Sequence, residues 1–152
     1  MDTPSPEPEP LSDRRRRGLE RMGEVYNFEV GDGPGDFYGL TVEHIFGDIW
    51  EREGLSLRDR RLMLISLLVA SGGLDGVLGI QLDSALDKGD LSAHDLREIV
   101  IFLAHYAGWP KGAELNTMVE SAIARRAKQQ ARADAAADAA RAQAEQAQQA
   151  QQ

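Results

Sequence analysis

The sequence has 152 residues, contains no cysteine and carries a formal net charge of −8. This charge argues against a nucleic-acid-binding protein, because such proteins depend on basic side chains that contact phosphates. The lack of cysteine excludes thiol chemistry, disulfides and cysteine-ligated metals. Since no long apolar run and no leader segment stand out, we expect a cytoplasmic protein that contacts no membrane. We also expect no cofactor.

The composition divides the chain into one domain and two extensions. Residues 1–24 are rich in proline and acidic residues, and we expect them to be disordered. The run Arg14–Arg17 within them is either a solvated linker or a patch for an anionic partner. Residues 25–124 are expected to form one compact domain. Residues 125–152 are rich in alanine and glutamine but lack large apolar residues, which predicts a helical or disordered tail.

Helical periodicity recurs through residues 25–124, and no segment alternates like a β-strand. The first predicted helix runs from about Asp36 to Glu51, with Asp36 as its N-cap. The second starts with Ser56 and Asp59. This second helix is apolar on almost every side from 62 to 70, so we expect it to be central and covered all round.

Three more helices complete the predicted fold. One covers residues 74–87 and stops at Gly89, where a glycine favours helix termination. The next begins at Ser92 and repeats the capping pattern of Ser56. The last begins at Pro110, a residue suited to a first helical turn. The sequence therefore predicts an all-α protein.

Gln81 is a polar residue on the apolar stripe of the predicted helix 74–87. That stripe consists of Leu74, Val77, Leu78, Leu82 and Ala85. A buried glutamine must find hydrogen-bond partners in the interior or line a cavity. Gln81 is therefore either a structural polar residue or part of a functional site.

Several segments resemble the carboxymuconolactone decarboxylase family, and the resemblance covers residues 37–123. They are Trp50-Glu51-Arg52-Glu53-Gly54-Leu55-Ser56, Arg58 and Arg61 at the start of an apolar helix, Ala85-Leu86 before Gly89, and Tyr106-Ala107-Gly108-Trp109-Pro110. The resemblance implies an all-helical subunit with an alkylhydroperoxidase D-like fold. It also implies a homotrimer or homohexamer whose active sites are walled by neighbouring subunits.

The peroxidase branch of this family uses a pair of cysteines, a histidine and a glutamate. The cysteines match Leu74 and Val77, the histidine matches Gln81, and the glutamate matches Leu62. Thiolate attack requires a thiol, so the sequence excludes cysteine-dependent peroxidase activity.

The decarboxylase branch removes a carboxylate from a lactone formed in aromatic degradation and protonates the product. The family histidine that suits proton transfer again matches Gln81. A family glutamate matches Glu43, which becomes the candidate general acid or base. The resemblance leaves five candidate substrate-binding residues, namely Gln81, Trp50, His105, Tyr106 and Trp109. By its spacing alone, His105 is more typical of a hydrogen-bonded core or interface residue.

Three hypotheses therefore remain open. The protein is a lyase or isomerase that acts on a small carboxylated or lactone compound, with Glu43 as acid or base and Gln81 orienting the substrate. Alternatively, it binds such a molecule without turnover. In the third hypothesis it is a structural homo-oligomer, and Gln81 is only a buried hydrogen-bonding residue.

Overall fold

The computed structural model describes residues 11–72 and 75–149, and these contain helices, turns and loops but no β-strand. In chain order the elements are α1 (Asp13–Tyr26), α2 (Asp36–Leu40), a π-helix (Thr41–Ile49), α3 (Leu57–Ser71), α4 (Asp75–Lys88), α5 (Ala93–Ala107) and α6 (Trp109–Gln149). The predicted all-α fold is confirmed. Within the described ranges, no helix is long and apolar enough to cross a membrane.

The chain divides into two compact units, residues 1–60 and residues 61–152. The sequence had suggested a single domain over residues 25–124, and this range takes in parts of both units. In the first unit, α1 and α2 both pack against the π-helix.

Helix α1 was not expected, because residues 1–24 were predicted to be disordered. That prediction is wrong for residues 13–24, while residues 1–10 lie outside the described part of the chain. Ser12 caps the helix by accepting a hydrogen bond from the backbone N–H of Arg15. Gly18 allows the close packing, since a Cβ atom there would lie 2.1 Å from the carbonyl oxygen of Val42. Val25 is buried on the same helix.

The arginine run belongs to this helix and pairs with acidic residues of the same unit. Arg14 lies 2.5 Å from Asp48. Arg15 lies 2.6 Å from Asp32, and its guanidinium stacks over the ring of Tyr38 at 5.3 Å. The run is thus part of a folded helix, and neither the linker nor the anionic-partner interpretation accounts for these two contacts.

The predicted helix from Asp36 to Glu51 is helical over nearly its whole length, but most of it is a π-helix. Its N-cap is Gly35, so the assignment of Asp36 as the cap was one residue late. Val42 and Phe46 are buried, whereas Ile45 and Ile49, which α-helical spacing would place on the same face, are about two-fifths exposed. A π-helix bonds residue i to i+5 and holds more residues per turn, so Ile45 and Ile49 rotate away from the face that α-helical spacing predicts.

In the second unit, α4 and α5 pack against α6 around one hydrophobic core. Its fully enclosed side chains come from four helices and one loop, and include Ile65, Leu82, Leu91, Leu96, Leu115 and Val119. Gly112 lets α6 approach α5 closely, because a Cβ atom there would lie 2.5 Å from the Cβ of Ala104.

Local capping chemistry places the helix ends where the sequence predicted them. Ser56 accepts a hydrogen bond from the backbone N–H of Asp59 at the start of α3, and Ser92 forms a full capping box with Asp95 at the start of α5. Gly89 follows α4 with a φ of +74°, a conformation that favours glycine. Residues 125–149 of the predicted tail are helical and continue α6, with exposed side chains from 127 to 148.

The prediction that α3 is covered all round is wrong. Met63 and Leu67 lie one turn apart on its surface, and 63 % of Leu67 is exposed. The opposite face carries the buried Ile65, Leu68 and Val69. Within one chain, α3 is therefore covered on one side only.

Candidate functional site

Gln81 is fully buried, and its partner is Arg61. Gln81 lies in the middle of α4 between the buried Leu78 and Leu82, and Arg61 lies near the start of α3. The Nη1 of Arg61 donates a hydrogen bond to Oε1 of Gln81 at 2.7 Å. Both side chains have 0 % exposure. The stripe of α4 is thus buried as predicted at Leu78, Leu82 and Ala85, while Leu74 lies outside the described residues.

Asp90 holds the other side of the Arg61 guanidinium. The Nε of Arg61 donates to Oδ2 of Asp90 at 3.0 Å, and the Asp90 side chain remains 20 % exposed. Gly89 turns the chain after α4 and so brings Asp90 back towards α3. Burial lowers the pKa of Arg61 below its ordinary value, and the charge and hydrogen bond of Asp90 oppose that shift.

The Nε2 group of Gln81 is buried and has no hydrogen-bond partner among the residues that the structure describes. A buried donor left without a partner costs about 1–3 kcal/mol of stability. A well-packed apolar residue would avoid that cost. The unpaired N–H groups therefore mark this position as one where a polar partner outside the described chain would be stabilising.

Glu43 and Trp50 both belong to the first unit. Oε1 of Glu43 is 3.8 Å from Nη1 of Arg15, and the carboxylate side chain is about one-third exposed. Trp50 is half-buried and stacks on Phe46 with ring centroids 6.1 Å apart. Glu43 sits in the π-helix, a form of helix that is frequent at functional sites. Its carboxylate is thus accessible to a proton-transfer partner.

His105, Tyr106 and Trp109 lie at the junction of α5 and α6. The rings of His105 and Trp109 meet edge to face at 6.0 Å, and Tyr106 stacks on Phe102 at 4.7 Å. Tyr106 is 79 % exposed. Nδ1 of His105 is 2.7 Å from the carbonyl oxygen of Ile101, so this nitrogen carries the proton that it donates.

The candidate residues of the second unit therefore lie in two separate groups. The enclosed group contains Gln81 with Arg61, and the exposed group is aromatic. The prediction that His105 is a core residue is wrong within the single chain, since its side chain is exposed.

Arg61 and Asp90 were not among the candidate residues. A signal for Arg61 was present, because it shares a face with Ile65 and Leu68 at helical spacing and so places a charge on a buried stripe. Nothing local marks Asp90 as its partner, since the two residues are far apart in the sequence.

The chemistry of the enclosed group is hydrogen bonding to an acceptor. An amide does not exchange protons at neutral pH, and Arg61 is charged at every physiological pH. Within the described part of the chain, no cluster of His, Asp and Glu side chains could hold a metal ion.

The amino-acid sequence matches a known protein family. The sequence model of the carboxymuconolactone decarboxylase family matches residues 35–120, more than half of the chain. A 4-carboxymuconolactone decarboxylase from Acinetobacter baylyi (strain ATCC 33305 / BD413 / ADP1) is 28 % identical over 115 residues, which cover 70 % of this chain and 84 % of that protein. Because the family model matches more than half of the chain, the chain belongs to the carboxymuconolactone decarboxylase family.

Proposed function

We propose that this protein acts as a decarboxylase-type lyase on a small carboxylated or lactone compound, and that Gln81 contacts the substrate. The unpaired, buried Nε2 of Gln81 carries the proposal. It is a hydrogen-bond donor without a partner in the described chain, at the position where the family resemblance places a catalytic histidine. Oxygen atoms of carboxylates and lactones are the acceptors that such a donor would bind.

The reaction needs two things from the protein. When the carbon–carbon bond to the carboxylate breaks, carbon dioxide leaves. The electron pair of the broken bond passes into the conjugated lactone carbonyl, whose oxygen becomes an oxyanion. A fixed N–H donor stabilises that developing charge. An acid must then deliver a proton to carbon, and the resemblance assigns this role to Glu43. The similarity to the Acinetobacter decarboxylase supports this choice of reaction class.

The second candidate function is binding without turnover. It is favoured by one observation, namely that Gln81 replaces the family histidine and cannot move a proton at neutral pH. A binding protein would use the same donor and the same ligand class.

We also propose that the protein assembles into a homotrimer or homohexamer. The second unit leaves several large apolar side chains exposed, on α3 at Met63 and Leu67 and on α5 at Ile101, Phe102 and Tyr106. Large exposed apolar patches typically mark interaction surfaces. Copies of the chain that covered these faces would also supply walls for the aromatic group near Trp109.

The direct test is a spectrophotometric assay with carboxymuconolactone and purified full-length protein. Loss of the substrate together with release of carbon dioxide supports the lyase. In that case Glu43→Gln should lower turnover by about 100-fold or more while binding persists, as expected for loss of a general acid. Binding without turnover supports the second candidate, and lack of binding contradicts both. Glu53→Gln, at an exposed glutamate of the same unit, is the matched control.

A further inference from the structure

The hydrogen bond from Arg61 decides which way the amide of Gln81 faces. A guanidinium has only donors, so the atom of Gln81 that meets Nη1 at 2.7 Å must be the oxygen. The Nε2 of Gln81 is then turned away from Arg61. With Arg61 in place, Gln81 can offer only N–H donors to anything else that approaches it.

The charges of this group are arranged along one line of contacts. Asp90 pairs with Nε of Arg61 at 3.0 Å, while Gln81 accepts from Nη1 of the same guanidinium. The charge of Asp90 thus lies on the Nε side of Arg61, on a different guanidinium nitrogen from the Gln81 contact. A hydrogen bond from a cation to Oε1 polarises the amide and strengthens its N–H donors.

The donors of Gln81 are enclosed, since the residue has no exposed surface and Nε2 has no partner in the part of the chain described. Enclosure raises the strength of an electrostatic contact, because water does not screen it. An amine placed against Nε2 would meet another donor, with the positive end of Arg61 behind it. A carboxylate would meet a polarised donor.

We propose that Arg61 is a positioning residue that holds Gln81 as an obligate hydrogen-bond donor, and that Nε2 of Gln81 binds a carboxylate oxygen of the ligand. The inference rests on the proposed function, in which Gln81 contacts the ligand. It adds the chemical class of the recognised group and a residue that sets it. Neither Arg61 nor Asp90 touches the ligand in this proposal.

The proposal predicts which substitutions keep recognition. Gln81→His retains it, because an imidazole nitrogen that accepts from Arg61 leaves the N–H on the other nitrogen. Arg61→Lys also retains it, since an ammonium group has only donors. Gln81→Met removes the donor and leaves the ion pair of Arg61 with Asp90 in place. Arg61→Met frees the amide to turn either way.

The experiment uses the full chain, adipate as a carboxylate probe and hexamethylenediamine as an amine of matching length. Proton–nitrogen correlation NMR follows the side-chain NH2 signals of Gln81, assigned as the pair that disappears in Gln81→Met. Adipate should move these signals downfield, and the diamine should leave them in place. Unmoved signals at the highest adipate concentration, or equal shifts with the diamine, overturn the proposal.

Affinities measured by the same titration add the variants. Gln81→Met and Arg61→Met should bind adipate at least about tenfold more weakly, whereas Arg61→Lys and Gln81→His stay within about threefold of the unchanged protein. Arg97→Met is the matched control, since Arg97 makes an exposed bidentate pair with Glu120 in the same unit. If Arg61→Met does not fold, Gln81→Met decides, and unchanged binding by it contradicts the proposal.

The two proposals can fail separately. If adipate shifts the Gln81 NH2 signals but carboxymuconolactone is not turned over, the lyase proposal is contradicted and the inference is supported. Turnover of carboxymuconolactone, combined with Gln81 NH2 signals that do not move with adipate, contradicts the inference and supports the lyase.

Discussion

Arg61 donates a hydrogen bond to Gln81 across 2.7 Å, and neither side chain has any exposed surface. This contact joins the start of α3 to the middle of α4 within a largely apolar core. It also ties Gln81 to Asp90, because Asp90 holds the same guanidinium. Gln81 is therefore part of a polar chain that runs through Arg61 to Asp90.

Removal of Arg61 should destabilise the protein strongly. Arg61→Met leaves Oε1 of Gln81 without its donor and Asp90 without its cation, so we expect a loss of about 2–4 kcal/mol in the free energy of unfolding. Arg97→Met, which removes an exposed pair, should cost much less, because water screens such a pair. Urea unfolding followed by circular dichroism measures both. Equal losses would show that the buried contact contributes no more than a surface pair.

Helix α1 should be sensitive to any side chain at Gly18. Gly18→Ala places a methyl group 2.1 Å from the Val42 carbonyl oxygen, so α1 must move away from the π-helix. Such overpacking costs about 1–3 kcal/mol, which exceeds the gain of about 1 kcal/mol that alanine brings to a helix. Gly31→Ala, where a Cβ atom meets nothing within 4 Å, should change stability by less than about 0.5 kcal/mol. Thermal melts compare the two variants. A Gly18→Ala protein with the melting temperature of the wild-type protein would show that α1 does not pack as described.

The first unit should lose stability in acid. A hydrogen bond from Arg21 lowers the pKa of Glu51, and hydrogen bonds from His44 and Arg14 lower the pKa of Asp48. The folded chain therefore binds fewer protons than the unfolded chain, whose carboxyl groups titrate near pH 4. The resulting stability is present above about pH 4 and is lost as the pH falls through the lowered values.

Glu51→Gln tests this pH dependence. It removes one of the carboxyl groups whose pKa is lowered, so its melting temperature should fall less steeply than that of the wild-type protein between about pH 5 and pH 3. Glu53→Gln, at an exposed glutamate of the same unit, should follow the unchanged protein. Parallel curves for Glu51→Gln and the unchanged protein would contradict the assigned origin of the acid sensitivity.

The elements that the sequence predicted well are those that depend on local chemistry. The starts of α3 and α5 follow from Ser56 and Ser92, whose partners lie three residues away. Helix α1 was missed although Ser12 gives it a local cap, because its packing depends on Gly18 and on ion pairs with distant residues. The polar nature of the Gln81 position was visible from its stripe. Its orientation was not, because Arg61 lies on another helix.

The exposed apolar face of α3 should drive assembly. Leu67→Glu introduces a charge on that face, so we expect a shift towards monomers in multi-angle light scattering at micromolar concentration. Ala136→Glu adds the same charge on the exposed part of α6 and should leave the assembly unchanged. If the wild-type protein is a monomer of 16.7 kDa in this measurement, the proposed homotrimer or homohexamer is contradicted.

The claim that Gln81 contacts the substrate is tested most directly by thermal melts with carboxymuconolactone. A ligand that binds only the folded state raises the melting temperature. We predict that the ligand raises the melting temperature of the unchanged protein and leaves that of Gln81→Leu in place, although Gln81→Leu folds normally without ligand. Equal stabilisation of the two proteins, or no stabilisation of either, would contradict the account.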